Sequence, residues 1–226
     1  MSYIDRCIIL FAILLSSFAF SQENLTGFWQ PKVALNYKVG TNYSHNFSVE
    51  QRNYIYETEN LKFTTRQLDF DHFSKLKLTN VRSIAFGIKY RFREIFAGNS
   101  NELRFTQQFN STHTNEKLRL GHRIRTEQRF TRSLTIHRFR YRFALDLPLN
   151  GETLDIGETY LVTSTESLLS VAKANNPQLD QRLSLDIGWL VSAKTKIQLG
   201  SEFRWEDYTQ RTQYVLFLHT MLIFSL

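Results

Sequence analysis

The sequence predicts an all-β chain: a single up-and-down antiparallel transmembrane β-barrel of ten or twelve strands, set behind a short export signal. Three observations predict it. Apolar and polar residues alternate strictly over long stretches, which is the period of a strand and not of a helix. Those stretches are mostly about 9–14 residues long, enough for a tilted membrane strand and roughly twice a soluble strand. One face of the alternation is dense with large aromatics and the other carries long charged side chains, the polarity of a barrel with a polar lumen and an apolar outside. Aromatics also gather near strand ends, at Phe28, Trp29, Tyr54, Tyr56, Trp189, Trp205 and Tyr208, where interfacial girdles belong. The competing fold is a soluble β-sandwich or a lipocalin-like barrel with a wet outside.

Residues 1–21 read as a cleaved secretory signal. Arg6 supplies the positive n-region, residues 8–20 are apolar apart from Ser16 and Ser17, and Ala19 and Ser21 have the spacing a signal peptidase reads. Cleavage is expected near Ser21–Gln22, leaving residues 22–226 as one barrel domain in the outer membrane of a Gram-negative bacterium. The apolar run is too short to span a bilayer comfortably, and the alternative to cleavage is an uncleaved anchor helix. Cys7 leaves with the signal, so the mature chain has no cysteine and its folding cannot depend on oxidation. The net charge is +7 at pH 7. Nucleic-acid readers interleave basic and aromatic residues on one face. Here the two kinds occupy opposite faces, so nucleic acid is not an expected partner.

In chain order, residues 25–37 and 43–53 form a hairpin around Gly40 and Thr41, with Pro31 marking a strand end or bulge because proline lacks a ladder donor. A third strand lies within residues 62–78 in ambiguous register. Residues 83–93 are the clearest strand: Ile84, Phe86, Ile88, Tyr90 and Phe92 oppose Ser83, Ala85, Gly87, Lys89, Arg91 and Arg93. Strands follow at 102–110, 117–130, 133–145, 155–165, 182–191, 196–207 and 213–226. Pro148 falls in a loop at 147–154, and Pro177 in a long loop at 166–181 whose first nine residues suit a helical turn. These are eleven segments. Bacterial single-chain barrels have even strand numbers, so ten or twelve is expected, with 62–78 the place where the count goes astray.

The sharpest constellation is an arginine hairpin. Arg123, Arg125, Arg129, Arg138, Arg140 and Arg142 share one face with Glu127. A turn at 131–132 would set Arg125 across from Arg138 and Arg123 across from Arg140. Like charges directly opposite destabilise a strand pair, so carboxylates must compensate. Glu127, Asp186, Glu202 and Glu206 are the candidates for a lumen charge network of the kind that fills a small barrel. The other reading is an anion-attracting pore or a patch facing lipopolysaccharide.

The run Gly121-His-Arg-Ile-Arg-Thr-Glu-Gln-Arg-Phe130, followed by Arg138-Phe-Arg-Tyr-Arg142, resembles a family of uncharacterised bacterial outer-membrane barrels grouped as domain of unknown function 2490. Glu166 after Tyr160-Leu-Val, Asp180-Gln-Arg182 and Gly188 are similar to the same pattern. The resemblance implies an export signal and an outer-membrane barrel. It implies no established activity.

Phe224 and Leu226 alternate as in an outer-membrane assembly signal, which makes the barrel-assembly machinery an expected partner beside membrane lipid and lipopolysaccharide. Met221 stands where such signals often have glycine. The six histidines, His45, His72, His113, His122, His137 and His219, show no helical-turn pair, and no metal or other cofactor is expected. Tyr43-Ser-His-Asn46 and Ser111-Thr-His113 put serine near histidine, but the short H-x-S pattern of a lipid hydrolase is missing. The expectation is a non-enzymatic barrel, structural or a narrow pore for small solutes, anions among them. A membrane-embedded lipid hydrolase and a loop-mediated adhesin or receptor are the alternatives.

Overall fold

The computed structural model describes residues 25–57, 60–93, 101–115 and 117–226. The predicted signal and its cleavage point lie outside the described residues. Eleven strands follow one another: β1 (Leu25–Lys38), β2 (Tyr43–Glu57), β3 (Asn60–Lys77), β4 (Arg82–Arg93), β5 (Glu102–Asn115), β6 (Leu118–Phe130), β7 (Thr135–Pro148), β8 (Thr159–Ala172), β9 (Gln178–Ser192), β10 (Thr195–Glu206) and β11 (Gln213–Ser225). Each pairs antiparallel with its neighbour in sequence, and β1 closes the barrel against β11. The expected all-β, up-and-down barrel is what the chain forms.

Among the described residues the strand number is eleven, neither ten nor twelve. Residues 62–78 hold one strand, β3, and no other segment splits or merges. An odd number of alternating strands points the first and last the same way. The closing ladder is therefore parallel, running from Leu25 opposite Tyr214 to Asn36 opposite Ser225. Leu25 and Ser225 consequently lie at opposite ends of the barrel.

Two local expectations also change. Residues 166–172 are strand and hold no helical turn: β8 runs on to Ala172, and only residues 173–177 separate it from β9. The adjacent Leu168 and Leu169 disguise the alternation. Leu168 turns inward and is 1% exposed, while Leu169 turns outward. Pro148 ends β7 opposite Tyr160 and is not in the loop. Pro31 lies inside β1, where the β2 ladder passes from Trp29 opposite Asn53 to Lys32 opposite Glu50 without a paired residue between. The bulge sits earlier, at Gly27/Phe28.

The alternation is inside out relative to a protein that buries an apolar core. Among the described residues nineteen polar or charged side chains are buried against six apolar ones. Phe86, Ile88, Leu185, Ile187 and Leu199 point outward. Trp29, Trp189 and Tyr208 do the same, but Phe28 and Tyr54 do not belong to an outer girdle. Plain alternation puts both rings inside, Phe28 in phase with the inward Gln30 and Lys32 and Tyr54 in phase with the inward Glu50 and Arg52, and Phe28 packs 4.8 Å from Tyr54 and 5.1 Å from Phe217.

Two inward glycines accept aromatic rings from the facing strand. Phe73 lies over Gly87, and Tyr160 lies over Gly188, each pair directly opposite in register. A Cβ on either glycine would overlap the ring. Gly188→Ala must push Tyr160 into the lumen, and it is expected to cost about 1–3 kcal/mol by overpacking. The check is a fall in the urea midpoint without a change of slope.

Candidate functional site: an arginine-lined lumen

Strands β4 to β10 place a row of alternating inward residues around the lumen, and three glutamates tie the arginines together. Glu102 accepts from Arg104 and, at 2.6 Å, from Arg93, with Arg129 at 3.8 Å. Glu127 accepts from Arg140 at 2.6 Å and from Arg129 at 3.3 Å, and Arg125 lies 3.6 Å away. Glu166 accepts from Arg140 and, at 2.7 Å, from Arg123, with Arg182 at 3.6 Å. The three carboxylates are 1%, 3% and 5% exposed. Burial at that depth demands that each be paired, and each is shared among three guanidinium groups. Arg140 and Arg129 bridge between hubs, so the pairs form one connected network across β4–β9. A second cluster starts at Asp69, which takes Arg91 at 2.6 and 2.8 Å and Lys89 at 2.9 Å.

The predicted residues divide into four sets. Arg123, Arg125, Glu127, Arg129 and Arg140 lie in the network just described. Glu202 and Glu206 hold Arg204 on β10, at 2.5 and 3.4 Å. Asp186 faces the lumen but meets His219, 3.5 Å away, rather than an arginine. Arg138 and Arg142 line the cavity and make no hydrogen bond or ion pair among the described residues. Sequence reasoning missed Glu102, Glu166, Asp69, Arg91, Arg104, Arg182 and Arg204 as network members. Phase was the available signal for Glu102 and Arg104, which alternate inward with Thr106.

The hairpin register also shifts. The turn spans residues 131–134, closed by Thr131 Oγ1 on the Leu134 carbonyl at 2.9 Å. Arg125 therefore opposes Arg140, Arg123 opposes Arg142, and Glu127 opposes Arg138. The slip is two residues, so every side chain keeps its predicted face.

The arginines enclose a cavity of about 410 Å³ lined by fifteen Lys and Arg side chains against six carboxylates. That imbalance makes the chamber attractive to anions. A second chamber of similar size opens toward the Ser225 end, between Asn36, Arg119, Lys196 and Gln198. Arg123 and Arg142 line both chambers and so form the neck between them. Toward the Leu25 end, Phe28, Tyr54 and Phe217 narrow the lumen beneath a cover of cations. Arg204 sits 3.8 Å and Arg52 4.6 Å from the Phe217 centroid, and Arg66 lies 5.1 Å from that of Phe28.

On the outer face Ser74 Oγ and His72 Nε2 both approach His45 Nδ1, at 3.3 and 3.0 Å. They compete for one nitrogen, so His72 is not placed to orient His45 as a base for Ser74. Ser44, the serine next to His45 in sequence, opposes Lys38 and Lys75. Among the described residues no three His, Cys, Asp or Glu side chains converge as metal ligands.

Comparison with curated proteins finds no match. The family model described as protein of unknown function, DUF2490, matches residues 26–215, from the second residue of β1 to the third of β11. Its span takes in all three glutamate hubs and every arginine they hold, and the chain belongs to the DUF2490 family.

Proposed function

We propose that the chain is exported, spans the outer membrane as a closed barrel, and offers small anions a narrow passage through its lumen. The observation that carries the reading is the inverted polarity: nineteen buried polar or charged side chains inside, and an apolar belt outside. In water such a belt would be a continuous exposed hydrophobic patch, which soluble monomers avoid. In a bilayer it is the surface that lipid requires. Phe224 and Leu226 face outward at the end of β11, where assembly machinery can read them.

The charge excess of the central chamber supports anions over cations, and the Arg123–Arg142 neck supports a narrow passage. Planar-bilayer recording of the purified chain tests this. The wild type is expected to pass chloride in preference to potassium, and Arg123→Gln with Arg142→Gln to lower that preference severalfold. Absence of any conductance would leave a purely structural barrel. Cation preference in the wild type would overturn the anion reading.

A further inference from the structure

We infer that the central chamber binds a compact polyanion of the phosphoryl class, held by Arg104, Arg129, Arg138 and Arg182. This deepens the anion-passage reading and rests on it only for how the solute arrives.

The first ground is register. Four arginine pairs stand directly opposite each other on the inward face: Arg104 and Arg129, Arg125 and Arg140, Arg123 and Arg142, Arg182 and Arg204. Each such pairing costs stability. The glutamate hubs offset it only in part, because the chamber retains more than twice as many cations as carboxylates on its lining.

The second ground is unmet hydrogen bonding. Arg104 Nη2, Arg138 Nε and Arg182 Nε are buried without a partner. Arg104 and Arg182 are more than nine-tenths buried. Arg182 makes no hydrogen bond among the described residues; its carboxylate neighbours Glu166 and Asp180 stand off at 3.6 and 3.8 Å. Arg138 has neither bond nor ion pair there. Arg138 feels the like charges of Arg182, Arg104 and Arg129 against the carboxylates of Asp180 and Glu127, without a bond to either carboxylate. Native structures pair nearly all buried polar groups, so three guanidinium groups with spare buried donors, set beside Arg129, mark a place where an anion completes the set.

The third ground is the shape and polarity of the place. The arginines come from β5, β6, β7 and β9, and so reach the chamber from different parts of the wall. A tetrahedral oxyanion accepts donors from all round, and the arginine fork suits it. A carboxylate accepts only in its own plane. Thr106, Ser164 and Ser184 add hydroxyls, and Phe73 and Met221 are the apolar residues on the wall. A ligand with a hydrophobic part finds no matching surface. The volume of about 410 Å³ falls at the small end of ligand pockets.

Titration calorimetry of inorganic pyrophosphate into the purified full chain in non-ionic detergent, at matched ionic strength, tests the site. One-to-one binding is expected. Arg138→Gln and Arg182→Gln should each weaken it roughly tenfold, the size of a lost charge-assisted bond. Arg211→Gln, an exposed loop change, should leave it as it was. Arg138→Lys, which keeps the charge and loses the fork, should fall between. Circular dichroism reports whether each variant folds, and the wild-type comparison of pyrophosphate with citrate needs no variant at all. No heat from pyrophosphate, or equally tight citrate, overturns the proposal, as does full affinity in the folded Arg138→Gln/Arg182→Gln double variant. Bilayer recordings on the same preparation separate the two readings. Binding in a barrel that carries no current sustains the site and removes the passage. An anion current without pyrophosphate binding removes the site and sustains the passage.

Discussion

Glu127→Ala is expected to destabilise the barrel by about 3–5 kcal/mol, the cost of breaking a buried ion pair from one side. Glu127 is 3% exposed, with Arg140 at 2.6 Å, Arg129 at 3.3 Å and Arg125 at 3.6 Å. Arg138 stands directly opposite it on β7. Removing the carboxylate leaves these cations facing one another, with Arg125 and Arg140 already opposed in register. Glu206→Ala is the contrast. That side chain is 35% exposed and meets Arg204 at 3.4 Å, so its loss is expected to cost about 0–1 kcal/mol. Urea unfolding in lipid or detergent, followed by the fluorescence of Trp29, Trp189 and Trp205, measures both. Adding Arg140→Gln to Glu127→Ala should recover part of the loss and not all, because Arg140 also serves Glu166. A bound polyanion should recover part of it too, by RT ln(1 + [L]/Kd). Wild-type stability in Glu127→Ala would mean that water, not the network, neutralises these arginines.

How far the sequence discloses this network depends on what each strand contrasts. Residues 83–93 and 196–207 match β4 and β10 to within a residue at each end, because their two faces differ sharply in polarity. β8 hides: Thr163, Ser164 and Thr165 are polar on both faces, then Leu168 and Leu169 are apolar on both, and the period-2 signal vanishes at its own midpoint. The arginine hairpin is readable for the opposite reason, since six arginines mark one face. Its register is less so. Whether Thr131 closes a two-residue or a four-residue turn is a matter of one side-chain contact. The hubs are less readable still. Glu166 meets Arg123 across 43 residues of chain, and no local pattern announces that meeting. Choosing carboxylates by sign and face alone selected Asp186, which lies inward but too far along β9 to reach an arginine. Closure is the other non-local feature. Every hairpin is antiparallel whether the barrel has ten, eleven or twelve strands, so the parallel β1–β11 seam leaves no trace in either strand.

The outward face carries the second large prediction, and it bears on whether the barrel lies in a bilayer. Leu185 is 50% exposed in the middle of β9, between Thr163 on β8 and Ser201 on β10. Val191 points the same way one residue before the end of that strand. In water an arginine at either site extends into solvent and changes stability by no more than about 0.5 kcal/mol. In a bilayer the two sites differ. Leu185→Arg brings a charge to the depth of the apolar belt and is expected to cost about 2–4 kcal/mol, whereas Val191→Arg, near the interface, should cost about 0–1 kcal/mol. Both variants keep the lumen untouched, so the network cannot be the cause of a difference between them. Reversible unfolding from lipid vesicles gives the two free energies side by side. A clear gap supports the membrane assignment through the depth dependence that water cannot produce. Equal and small effects at both sites would return the barrel to water, and its exposed belt would then need a protein partner to cover it.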